Sequence, residues 1–137
     1  MPITNILQPI PIPPASTSNN GLMTATDKQT LAGLVTTTET NSTATQTLTL
    51  ANNTVYELTA TALTSLTLSG VATGFTYASV TFTSGATATV FSMPATGWYC
   101  VGADCSSGTF TPVASMRYNL AIEQEADRIA VYVMEAM

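Results

Sequence analysis

The sequence contains no histidine, and its only cations are Lys28, Arg117 and Arg128. Without an imidazole the chain lacks the usual general base, the partner that activates a serine or cysteine nucleophile, and the commonest transition-metal ligand. It is therefore not expected to be an enzyme, and no cofactor is implied. Three cations against eight acids, a net charge of −5, cannot neutralise a run of phosphates, which excludes nucleic acid as a partner. Charge of either sign is scarce, at 8% of residues against about a quarter in a typical soluble domain. From Leu58 to Ala103 nothing is charged. Threonine and serine nevertheless interrupt that stretch throughout, so no run approaches the roughly 20 apolar residues of a membrane helix. No membrane insertion is expected. No cation precedes Lys28, and Pro9, Pro11, Pro13 and Pro14 divide the early apolar residues, so the pattern of a secretory signal is missing. Cys100 and Cys105 have no second cysteine pair and no histidine with which to complete a zinc site. No metal is expected. Nothing points to an oxidising compartment, which favours two free thiols; a disulfide closing the loop through Gly102 stays open.

What replaces charge is threonine, at 27 of 137 positions. It is β-branched, fits a pleated strand, and is polar enough for the solvent face. From Ala44 onward the hydrophobic period is two. Thr45, Thr47 and Thr49 alternate with Gln46, Leu48 and Leu50; Val55 to Leu58 follows the turn Asn52-Asn53; Leu63, Leu66 and Leu68 precede Gly70. Phe75 to Phe82 ends at Ser84-Gly85, Ala86 to Phe91 ends before Pro94, and Trp98 to Val101 leads into the cysteine loop. Met116 to Ile122 and Ile129 to Val133 alternate again and form a hairpin. Short strands at roughly ten-residue spacing, with glycine or proline between them, predict a mainly β chain. The expected fold is an antiparallel β-sandwich or jelly-roll-like domain over 41–137, its strand order left open.

Residues 1–20 are uncharged and interrupted by proline, which suits neither a helix nor a paired strand. Ile3, Ile6, Leu7, Ile10 and Ile12 would expose five large aliphatic side chains if left free in water. The segment reads as an extended docking peptide, with folding back onto its own domain as the alternative. Over 21–40, Thr26 and Gln29 fit a capping box and Asp27 falls in the first turn, which predicts a short helix. Gly33 and the Thr36-Thr37-Thr38 run stop it after about two turns. Such a helix is marginal alone, and Leu22, Met23, Leu31 and Leu34 are its whole burial stripe. Its neighbours are either copies around a symmetry axis or its own sheet.

Glu123, Glu125 and Asp127 would share a face if the strand ran through them, and carboxylates are hard ligands for Ca²⁺. A solvated hairpin turn is the stronger reading of the same residues. Trp98 and Tyr99, with Asp104 and Phe110 nearby, are candidates for a glycan contact in which aromatic faces stack on sugar; core aromatics are the plain alternative.

The segment Gly21-Leu22-Met23-Thr24, Asp27-Lys28, Leu31 and Gly33-Leu34 resembles a connector element that recurs in bacteriophage fibre and other appendage proteins. Thr30 stands where that family often has Lys, and Ala32 where it often has Asp, which trims charge without touching the apolar positions. The resemblance covers about 20 residues. It implies a homotrimeric virion component, a head fibre or tail appendage made in the host bacterial cytoplasm. Residues 1–20 would anchor it to a capsid, baseplate or tail protein, 21–40 would form the trimerisation connector, and the β tip would be displayed for adsorption to host surface glycan. A carbohydrate-binding module without a virion role is the alternative.

Overall fold

The computed structural model of the protein describes residues 36–136. The anchor positions Ile3, Ile6, Leu7, Ile10 and Ile12, the connector positions Leu22, Met23, Leu31 and Leu34, and the short helix lie outside the described residues. A compact unit begins at Thr36. Thr37–Asn41, placed by the sequence reading at the end of the connector, form a strand, as the β-branched threonine run favours.

The first half of the β body is a coil. Strands β1 (Thr37–Asn41), β2 (Thr45–Leu50), β3 (Thr54–Leu58), β4 (Ser65–Val71), β5 (Tyr77–Thr83) and β6 (Val90–Ser92) alternate between two sheets. β1, β3 and β5 pair in parallel in one sheet; β2, β4 and β6 pair in parallel in the other. The mainly β expectation holds, but the antiparallel arrangement does not hold here. Strands spaced by about ten residues serve a hairpin or half a coil equally well. What separates them is likeness at twice that spacing: Thr45, Thr47, Leu48 and Thr49 recur as Ser65, Thr67, Leu68 and Ser69, and β2 lies beside β4 in nearly that register.

Corners are stacked by backbone bonds and by side chains. Thr37 N–H donates to Asn53 O at 2.9 Å and Asn53 N–H to Tyr77 O at 2.8 Å. The Asn52 amide oxygen accepts from Thr76 N–H at 3.0 Å, Thr76 hydroxyl at 2.6 Å and Tyr77 N–H at 3.1 Å, tying one coil to the next. Asn53 holds φ 54°, a left-handed conformation that asparagine tolerates at a tight corner.

The second half closes the larger sheet. After β7 (Trp98–Gly102), β8 (Cys105–Ser106) and β9 (Thr109–Phe110) come β10 (Arg117–Glu125) and β11 (Arg128–Ala136), an antiparallel hairpin in continuous register that turns at Ala126-Asp127. β10 pairs antiparallel with β5, and β7 runs parallel to β11, giving the order β1-β3-β5-β10-β11-β7 beside the three-stranded β2-β4-β6 sheet. Leu66, Leu68, Val80, Leu120, Ile122 and Val131, on the inner faces of both sheets, are at most 1% exposed and belong to one core. Each such side chain contributes roughly 1.5–3 kcal/mol by burial. Thr45, Thr47, Thr49, Ser65, Thr67 and Ser69 face outward from the smaller sheet, and Thr49 and Ser69 share a hydroxyl hydrogen bond of 2.9 Å.

Candidate functional site

β7 lies at the edge of the six-stranded sheet, where chain reversals on both sides deliver side chains into one place. Gly97, at φ 76°, turns the chain into β7 and accepts from Ile129 N–H at 2.7 Å, which fixes the start of the strand against β11. Beyond Gly102 the chain reverses through Asp104 (φ 56°) into the small β8–β9 hairpin, whose turn is Ser107 (φ 51°) and Gly108 (φ 76°). Cys100 N–H then donates to Gly108 O at 3.2 Å, holding that turn against the outer edge of β7. A trough of about 380 Å³ results, lined by Met93, Pro94, Ala95, Trp98, Tyr99 and Ser107 to Thr109.

Trp98 and Tyr99 are adjacent, so their side chains leave opposite faces of the strand. Trp98 packs half-buried against the core, while Tyr99 stands on the outer face beside β11. Because β7 is an edge strand, both border the same trough. Tyr99 is held from behind: its hydroxyl donates to Glu125 Oε2, the Tyr132 hydroxyl donates to Glu125 Oε1, and the Arg128 guanidinium sits 4.3 Å from the Tyr99 ring centroid. That stacking is a cation–π contact at a fairly exposed site. The arrangement presents an aromatic edge beside hydroxyl and backbone groups, which can stack on a sugar ring and bond its hydroxyls.

The hydrogen bonds move the titrations in opposite directions. Donation to Glu125 raises the Tyr99 hydroxyl and, with some desolvation, pushes Tyr132 up to about 12; the two tyrosine bonds hold Glu125 below its ordinary range. Burial, with a hydrogen bond to Asp104, pushes Tyr118 up to about 12. Folded values above the ordinary 10.0 mean that the Tyr118 and Tyr132 contributions are complete below pH 10 and fall away as pH rises toward 12. Glu125 has the opposite sign. Its contribution is present above the ordinary carboxylate value of 4.5 and is lost as pH falls through the lowered one.

Asp104 and Phe110 do not join the trough. Asp104 accepts the hydroxyl of the fully buried Tyr118, which also accepts from Val113 N–H at 2.9 Å, so the carboxylate is committed to anchoring the 104–113 loop. Phe110, 4% exposed, lies 5.0 Å from the ring centroids of both Phe91 and Tyr118, inside the core. Glu123, Glu125 and Asp127 do not converge, because the hairpin turns between the last two and Glu125 is taken by its tyrosines. Among the described residues no three acidic, cysteine or histidine groups come together as a metal site. Cys100 and Cys105 are both free thiols, and burial pushes the Cys105 thiol up to about 12, which keeps it out of the reactive thiolate form.

Glu125, Tyr132 and Arg128 escaped the sequence reading as partners of Tyr99. Their signal was present: the final hairpin puts Glu125 opposite Arg128, but nothing in the sequence placed β7 beside β11 in parallel. No match to this chain is found among known protein families, curated proteins or solved structures.

Proposed function

We propose that the chain is a structural subunit of a bacteriophage particle, a homotrimeric head fibre or tail appendage that is anchored by residues 1–20 and displays its β body outward. The observation that carries the reading is the junction. The compact β body begins at Thr36, just after the Gly33-Leu34 end of the connector-like element, and takes in residues 36–40 that the sequence reading gave to the connector; a body that starts where the element ends supports the order anchor, connector, body. A β body whose outer threonines and serines are short, with Thr49 and Ser69 already hydrogen-bonded to each other, loses little rotamer entropy at the surface, which suits a part that stands in solvent and meets other surfaces. Phage carrying a deletion of residues 2–14 should produce a folded, soluble trimer that no longer joins the particle. Incorporation at the wild-type level overturns the anchor.

The trough at β7 supports a second element, contact with host surface glycan, because it brings Trp98 and Tyr99 to one opening. A carbohydrate-binding module without a virion role would use the same opening. Trp98 is the only tryptophan, so its emission reports the site without labelling. Binding of a cell-surface glycan should shift that emission saturably. Silence on a glycan array, together with unchanged emission over added sugars, removes the glycan element and leaves the structural role standing.

A further inference from the structure

We infer that the sugar taken by the trough at β7 is a neutral hexopyranose, one without a carboxylate or an ammonium group. This rests on the glycan contact proposed above and adds to it the class of ligand.

The trough, at about 380 Å³, falls at the small end of the roughly 300–1,000 Å³ of small-molecule sites, which suits the end of a glycan. Its two walls differ in kind. Met93, Pro94 and Trp98 make an apolar wall, and Met93 and Trp98 are packed against the core, which holds that wall firm. The Tyr99 hydroxyl is spent on Glu125, so only its ring is left to a ligand. Across from these, the β8–β9 turn supplies hydroxyls. Thr109 donates its proton to Ser106 O at 2.7 Å, so toward a ligand its oxygen acts as an acceptor. Ser107 beside it is exposed and can donate or accept. An apolar wall opposite hydroxyl groups matches a pyranose ring, whose C–H face is apolar and whose rim carries hydroxyls. A wholly apolar ligand would strip water from Ser107 and Thr109 without replacing its hydrogen bonds.

Charge sets the class. Among the described residues no charged side chain lines the trough. A carboxylate moved there would lose hydration with no cation to replace it, and Thr109, an acceptor, would oppose it. Arg128 is engaged elsewhere: its guanidinium lies on the Tyr99 ring, and the hairpin register sets it opposite Glu125. Arg117 stands at the other end of the same hairpin, opposite Ala136. An ammonium fares no better. Glu125 has both oxygens taken by the Tyr99 and Tyr132 hydroxyls, Asp104 holds Tyr118, and Glu123 is separated from Tyr99 by Ala130 of the intervening strand. Sugar hydroxyls, which both donate and accept, satisfy Thr109 and Ser107 without carrying charge into the site.

Titration of the full chain, read by Trp98 emission, tests this with matched sugars: galactose against galacturonate, glucose against glucuronate, and glucose against glucosamine, each as the methyl glycoside and as a short oligomer. At least one neutral member should shift the emission saturably, and its charged counterpart should bind roughly tenfold or more weakly. Thr109→Val, which keeps the shape and removes the acceptor, should weaken binding of the neutral sugar by roughly threefold to tenfold with an unchanged far-UV spectrum. Should that variant fail to fold, the wild-type comparison of neutral and charged sugars decides alone. A charged sugar that binds as well as its neutral counterpart, or better, overturns the neutral class and leaves the glycan contact standing. A valine variant that binds as tightly as the wild type overturns the hydroxyl wall. Silence from every sugar, neutral and charged alike, removes the glycan contact itself and this inference with it.

Discussion

Gly102→Ala unfolds the β7 edge and lowers the stability of the β body by roughly 2–4 kcal/mol, the sum of backbone strain and forced separation of packed strands. Gly102 holds φ 115°, a conformation that side chains of L-residues rarely adopt. A Cβ there would also stand 2.2 Å from the carbonyl oxygen of Val133, a backbone atom of β11 that accepts from Ala103 N–H at 3.0 Å and so has no freedom to withdraw. Strain and collision act together because the glycine sits where β7 leaves its parallel partner. Thermal melting by circular dichroism checks the magnitude. The same change at Gly74, also at positive φ (75°) but with open space around its Cβ position, carries the strain alone and should cost less. Equal melting temperatures for the Gly102 and Gly74 variants would mean that the contact with Val133 contributes nothing.

Phe110→Ala should cost more, about 3–5 kcal/mol, the range for removing a fully packed aromatic side chain and leaving its cavity. Its ring makes edge contacts with Phe91 and Tyr118 at 5.0 Å and with Phe82 at 6.3 Å, linking the β8–β9 hairpin to strands of both sheets. With the ring gone, the hairpin keeps the Cys100 N–H bond to Gly108 O but loses its purchase on the core. The far wall of the Trp98 trough, Ser107 to Thr109, should loosen with it. Denaturant titration gives the stability change, and Trp98 emission gives the state of the trough. Phe110→Leu, which keeps most of the buried volume, should recover more than half of the loss. An alanine variant as stable as the wild type would place Phe110 outside the core and return it to the group of surface aromatics.

The strands were legible and their pairing was not. Alternation in Thr45–Leu50 and in the final hairpin marks the core faces because side chains in a strand have period two, whatever lies alongside. Partner and direction are set by non-local geometry. The coil rests on corner bonds such as those of Asn52, whose acceptor oxygen looks like any turn asparagine in the sequence. Near-repetition of 45–49 at 65–69 was the available clue, and it is short because threonine is so common here that its recurrence carries little weight. At the candidate site the aromatic pair Trp98-Tyr99 was legible as a local cluster. Asp104 and Phe110 were grouped with it by proximity in sequence, yet the chain reversals at Gly102 and Asp104 carry both toward Tyr118 and the core. Loop acids near aromatics read alike whether they face a ligand or a buried hydroxyl; only the fold separates the two.

The antiparallel hairpin has a consequence for how this body can change in size. In a parallel coil each layer touches only the layers before and after it, so length can be altered by whole layers at little cost to the rest. Here β10 occupies the side of β5 where another layer would be added, and it runs in the opposite direction. The hairpin is thus a terminator. The β1 edge of the larger sheet is left as the side where whole layers can be added or removed, and a change of length there leaves the β7 trough and its supporting tyrosines untouched.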